Sequence, residues 1–216
     1  MWFAATGRRG PDGAPLSWTK PPGPIGDGMR IGLLGGSFDP AHSGHLYVSE
    51  TARKALKLDY VWWLVSPGNP LKPVPDALAV RVARARLLAR DRRIFVSDIE
   101  AQLGTRYTID TVMALQKRFA QVQFIWLMGS DNLEQFSRWR RWQSIAARIP
   151  IAVIRRPGTV LVSLHAGLAR CLGVSPRLAC PPSLVVLDGP RSSESSTELR
   201  EQALGAAAEA MLNLTP

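Results

Sequence analysis

The chain has 216 residues, 46% of them hydrophobic, with 27 Lys and Arg against 17 Asp and Glu, for a formal charge of +10. That length supports one well-packed core, and the positive balance favours anionic partners (nucleotides, nucleic acids or acidic lipid surfaces) without choosing among them. No apolar stretch approaches the ~20 residues that span a bilayer. The N-terminus lacks the order of a signal peptide, and Cys171 and Cys180 are spaced for neither a metal knuckle nor a disulfide framework. A reducing, cytoplasmic setting is therefore expected.

Residues 1–28 are rich in Gly and Pro and show almost no apolar periodicity, so they read as a flexible tail. Met29, immediately before the first strand, is a second candidate start, and residues 29–216 read as a single domain. From there, buried-type strands alternate with helices. RIGLLGG (30–36) is a strand, and SGHLYVSETARKALKL (43–58) has helical apolar spacing. YVWWLVS (60–66) is a second strand, and 76–91 a helix with Asp76 as candidate cap. RIFVSD (93–98) is a third strand, followed by a helix over 108–119 with Thr108 as cap. VQFIWLMGS (122–130) is a fourth strand, and 131–149 holds one or two short helices. Strands follow at 150–158 and 183–188, and SSTELREQAL (195–204) opens a last helix. Strict alternation with continuous apolar strands predicts an α/β, Rossmann-like, doubly wound parallel sheet of five to six strands, with helices on both faces. Ligands of such sheets sit at the carboxyl ends of the strands.

GGSFDPAHSGH (35–45) occupies that position on the first strand and contains two of the three histidines, His42 and His45. Gly35 and Gly36 leave the backbone bare for a phosphate to approach N–H groups. The next helix begins near Ser43, so its positive end faces the same point. Neither GxxxxGK[ST] nor GxGxxG occurs, and two histidines are too few for a catalytic zinc site. Glycines, a helix N-terminus and two imidazole donors together fit a bound, reacting phosphate.

Further stretches extend the pattern. SPGNPLK ends in Lys72, within reach of phosphates bound at the second strand's carboxyl end. RYTIDT places hydroxyls at Thr108 and Thr111. In GSDNLEQFSRWRRW, Gly129 and Asp131 stand at the end of the fourth strand, where a carboxylate can accept from ribose hydroxyls. Trp139 and Trp142, three apart, are expected on one helix face, one of them stacking on a ligand ring. Ser195, Ser196 and Thr197 cap a helix with Arg200 one turn in, a second phosphate site.

GGSFDPAHSGH resembles the signature of the HxGH nucleotidyltransferase superfamily. Together with Lys72, YTIDT, DNLEQFSRWRRW and SSTELR, it makes residues 30–204 similar to the bacterial nicotinate-nucleotide adenylyltransferases. The resemblance implies that ATP and nicotinate mononucleotide are joined to deamido-NAD with release of pyrophosphate, in NAD biosynthesis and with Mg²⁺ held mainly by the ATP phosphates. It implies catalytic roles for His42, His45, Lys72 and Arg200. Gly35, Gly36, Ser37, Phe38, His45, Gly129, Asp131, Arg156, Ser196, Thr197 and Arg200 would bind ATP. Ser37, Phe38, Lys72, Thr111 and Trp139 would bind the mononucleotide. Small molecules are then the expected partners, with no nucleic acid and no membrane; the oligomeric state is not legible.

The chain departs from the pattern in places. Glu194 stands where the family usually has isoleucine, an acid beside a triphosphate site. The segment after 204 is short and Ala-rich, and 159–183 matches no motif, leaving His165 a surface or loop residue. Two other readings stay open: the same chemistry on nicotinamide mononucleotide or phosphopantetheine, and a basic nucleic-acid-binding protein using Arg81, Arg84, Arg86, Arg90, Arg92, Arg93 and RWRRW.

Overall fold

The computed structural model describes residues 20–68, 76–155, 173–174 and 179–188. Lys72, Arg156, His165, Cys171, Glu194, Ser195, Ser196, Thr197 and Arg200, the expected helix over 195–204 and residues 1–19 lie outside these.

The centre is β1 (Arg30–Gly36), followed by α1 (Ser43–Leu56), β2 (Tyr60–Val65), α2 (Leu78–Leu88), β3 (Ile94–Ser97), α3 (Ile99–Leu103) and α4 (Thr108–Arg118). Then come β4 (Gln123–Gly129), α5 (Ser130–Phe136), α6 (Trp142–Ala146), β5 (Ile151–Arg155), β6 (Gly173–Val174) and β7 (Ser183–Asp188). The strands form one sheet in the order β3-β2-β1-β4-β5-β7-β6, and every pairing is parallel. All six expected strands are present. The seventh, β6, has two residues and falls in the stretch that sequence patterning could not place.

The strands alternate their side chains between two cores. Ile31, Leu33, Trp62, Leu64, Trp126, Met128, Ile151 and Val153 face one, with Ile109, Val112 and Leu115 of α4 and Ile145 of α6. Leu34, Val61, Trp63, Val65, Ile125, Leu127, Ala152 and Ile154 face the other, with Val48, Ala52 and Leu56 of α1 and Val82 and Ala85 of α2. Covering both faces explains why the strands read as unbroken apolar runs. Gly32 has its own reason: a Cβ there would stand 2.6 Å from Leu127 Cδ1 and 2.8 Å from Leu58 Cδ1.

Several local expectations change. Residues 20–28, read as part of the tail, pack on the protein: Ile25 and Met29 lie against the first core, and Gly28 N–H donates to the Gln121 carbonyl at 3.0 Å. Proline-rich sequence hid this because docking there uses few apolar residues. Asp76 does not cap α2; the cap position is Ala77, and the Asp76 carboxylate pairs with Arg84 instead. Thr108 is the first residue of α4 rather than its cap, which is Tyr107. Trp139 and Trp142 do not share a helix, because α5 ends at Phe136 and Arg141 turns left-handed (φ 53°) before α6. Both rings nonetheless meet Phe136 edge-on, at 5.4 and 5.9 Å.

Candidate active site

β1 sits between β2 and β4, and the chain winds outward from it in both directions. That makes the carboxyl ends of β1 and β4 the switch point, where a crevice must open. A cleft of about 440 Å³ lies there, within the ordinary range for small-molecule sites. Its floor is Gly35, Gly36 and Ser37 after β1, with Ser66 and Gly68 after β2. Its walls are Glu100, Arg106, Tyr107 and Thr108 on one side, and Trp126, Asn132, Gln135, Arg138, Trp139 and Arg140 on the other.

The glycines at the floor differ in purpose. A Cβ at Gly35 would sit 2.7 Å from Trp126 Cη2 and 2.9 Å from Cζ2, whereas one at Gly36 would meet nothing closer than Phe38 Cε2 at 3.5 Å. Gly35 thus admits the Trp126 ring into the wall, and Gly36 keeps the backbone bare. Trp126 in turn holds Trp139, ring to ring at 5.9 Å and nearly perpendicular.

The cleft favours anions. Among the described residues, Arg106, Arg138 and Arg140 line it against Glu100. Burial pushes the Glu100 carboxyl from 4.5 up to about 7, opposed in part by a hydrogen bond from Thr111, so about half of it is uncharged at neutral pH, where an ordinary carboxyl is fully ionised. Arg140 lies over the Tyr107 ring at 4.4 Å. Thr108 opens α4, whose first turn has no side-chain cap, so the positive end of the helix also meets the cleft.

The histidine loop continues from the same floor. Phe38 is buried with φ at 51° and stacks on Trp63 at 5.0 Å, while His45 packs on Phe38 at 4.5 Å. His42 caps α1: its Nδ1 accepts from Gly44 N–H at 3.1 Å, and its own N–H donates to His45 Nδ1 at 3.2 Å. Both Nδ1 atoms are therefore acceptors, which puts the proton of each neutral ring on Nε2. The rings lie 4.0 Å apart. They are half-buried and do not form part of the cleft's lining. The pair that sequence reasoning assigned to phosphate binding builds the start of α1.

Of the other expected residues, Gly35, Gly36, Ser37 and Trp139 line the cleft. Gly129 ends β4 at the cap position of α5. Asp131, exposed in the first turn of α5, is not in the lining, and its neighbour Asn132 is. Thr111 is fully buried; it stands behind Glu100, donating to Oε1 at 3.0 Å and sharing a hydrogen bond with Thr105 at 2.8 Å. Sequence reasoning passed over Glu100, Arg106, Asn132, Gln135, Arg138 and Arg140 as site residues. Only the crowding of arginines around Trp139 carried a signal.

A parallel sheet with an anion-seeking cleft at its switch point, beside a histidine-bearing glycine loop, defines a nucleotidyltransferase-type site. The Cytidylyltransferase-like family model matches residues 33–202. The chain is 50% identical over 187 residues to a protein of Parvibaculum lavamentivorans, covering 81% of this chain and 92% of that one, and 51% identical over 179 residues to one of Cereibacter sphaeroides, covering 80% and 97%. Both are described as probable nicotinate-nucleotide adenylyltransferases. The fold is also that of the Plasmodium falciparum nicotinic acid mononucleotide adenylyltransferase complexed with NaAD, with a TM-score of 0.64 and 17% identity over 80% of this chain and 83% of that one. The chain belongs to the nicotinate-nucleotide adenylyltransferase family.

Proposed function

We propose that the protein transfers the adenylyl group of ATP to nicotinate mononucleotide, giving deamido-NAD and pyrophosphate in NAD biosynthesis. The observation that carries this reading is the cationic cleft at the β1–β4 switch, lined by Arg106, Arg138, Arg140 and Trp139 and floored by Gly35–Ser37. Relatives at about 50% identity over four-fifths of the chain support it.

In this reading a phosphate oxygen of the mononucleotide attacks the α-phosphorus of ATP. The bond from the α-phosphorus to the bridging oxygen breaks, and pyrophosphate leaves with the electron pair. No covalent enzyme intermediate is needed, so catalysis rests on positioning and charge stabilisation. His42 and His45 offer Nε2–H donors to the reacting phosphates. The cleft takes the mononucleotide, with Trp139 at its ring and the arginines and the α4 N-terminus at its charges. Gly129 and Asp131 serve the adenosine side, and Lys72, Arg156, Ser196, Thr197 and Arg200 the phosphates. Mg²⁺ would enter with ATP and offset the negative charge of its phosphates; among the described residues no group of three or more His, Cys, Asp or Glu is placed to hold a metal. The catalytic unit is one domain over residues 29–216, and the protein works in the cytoplasm. No helix among the described residues is long and apolar enough to cross a membrane.

The test is mass spectrometry of protein incubated with ATP, Mg²⁺ and nicotinate mononucleotide. Deamido-NAD appearing in proportion to pyrophosphate supports the reading; its absence overturns it.

A further inference from the structure

Arg81 is fully buried in α2, and its four hydrogen bonds among the described residues all go to main-chain carbonyls. Nη1 donates to Ser37 O at 2.6 Å and Ser66 O at 2.9 Å, Nη2 to Pro67 O at 3.4 Å, and Nε to Asp76 O at 3.1 Å. Burying a cation without a carboxylate is costly, and only convergent dipoles offset it. Among the described residues, that cost is accepted beneath the cleft floor.

The carbonyls belong to both loops of that floor. Ser37 follows β1 and leads to His42 and His45; Ser66 and Pro67 follow β2. Ser66 N–H also donates to Gly36 O at 2.9 Å, closing the link between the loops. In a trans peptide the C=O and the next N–H point in opposite directions. A Ser37 carbonyl turned to Arg81 therefore turns Phe38 N–H away from it, and a Pro67 carbonyl does the same for Gly68 N–H. Ser37, Ser66 and Gly68 all line the cleft. A guanidinium fork suits this task because its donors diverge in one plane.

We propose that Arg81 is a positioning residue for adenylyl transfer. It fixes the spacing of the two floor loops and orients the Phe38 and Gly68 amides for phosphate, while placing beneath them a positive charge that has no carboxylate partner among the described residues. This rests on the transfer reading above.

The test compares Arg81→Lys and Arg81→Gln with Val82→Ala, which removes core volume from the same helix and leaves every hydrogen bond of the Arg81 guanidinium in place. Steady-state pyrophosphate release and melting temperature are measured for each. Arg81→Lys keeps the charge and loses the fork, so kcat falls by about 10²-fold, the scale of a small misplacement of reacting groups. Arg81→Gln falls at least as far, while Val82→Ala keeps the unaltered protein's kcat at a comparable loss of melting temperature. An Arg81→Lys protein with unaltered kcat overturns the assignment, as does an equal kcat loss in Val82→Ala. Failure of both Arg81 variants to fold overturns it too, making Arg81 a residue of the fold alone. If the unaltered protein releases no pyrophosphate, the transfer reading falls and this assignment with it.

Discussion

The backbone N–H of His42 donates to Nδ1 of His45 at 3.2 Å. With Gly44 N–H on Nδ1 of His42, two backbone amides hold the rings in the tautomer that presents Nε2–H. The two functions of His45 are therefore separable. His45→Asn retains an acceptor near the Nδ1 position and keeps the capping box, whereas His45→Ala loses it at a cost of roughly 1 kcal/mol. Both variants lose turnover by at least about 10²-fold, as expected on removing a transition-state charge stabiliser. Parallel melting curves and pyrophosphate-release rates check this; turnover retained in His45→Asn would remove the phosphate role.

Glu100 gives the fold a pH dependence. Its folded-state value, raised by burial from 4.5 to about 7, lies above its unfolded one, so the folded protein binds the proton more tightly. The stabilisation is complete below pH 4.5 and is lost as pH rises to about 7, a decline of up to about 3 kcal/mol. Glu100→Gln flattens that decline in urea unfolding between pH 4.5 and 8. Thr111→Val removes the hydrogen bond that favours the carboxylate and moves the decline to higher pH; movement the other way would contradict the assignment of its cause.

Gly35 and Gly36 respond differently to a methyl group. Gly35→Ala drives a Cβ into the Trp126 ring and destabilises by about 1–3 kcal/mol, the usual cost of overpacking. Gly36→Ala finds ordinary contact distances and leaves the melting temperature near that of the unaltered protein, while weakening turnover because the phosphate approach is blocked. Equal melting temperatures for the two variants would contradict the packing argument.

Trp139 and Trp142 both touch Phe136, but only Trp139 lines the cleft. Trp139→Ala raises KM for the mononucleotide by about tenfold, the scale of one lost stacking contact. Trp142→Ala lowers the melting temperature and leaves KM within a factor of two or so, since the change is remote from the ligand. A KM shift in Trp142→Ala matching that in Trp139→Ala would refute the division between them.

The strands were legible because β2 and β4 read as unbroken apolar runs, which a sheet covered on both faces demands. Helix α3 was not: five residues are too few for a 3.6-residue period to declare itself, yet it carries Glu100 into the cleft. The sequence groups Arg81 with Arg84 among the arginines of the nucleic-acid-binding alternative, but only Arg84 of the two is exposed. Arg81 shares its buried helix face with Val82 and Ala85, so the apolar period marked it as inward, and the charge argued the opposite. The glycine–histidine loop was legible because its chemistry is local. Asn132, rather than Asp131, reaches the cleft because α5 begins one residue after Gly129, and one residue rotates a helix by about 100°.

The most direct test of the central claim is pyrophosphate release from ATP and Mg²⁺ with nicotinate mononucleotide, nicotinamide mononucleotide and phosphopantetheine in parallel. The cationic lining of Arg106, Arg138 and Arg140 predicts strong preference for the mononucleotide bearing the extra carboxylate. Preference for either of the other acceptors, or release with none, would contradict it.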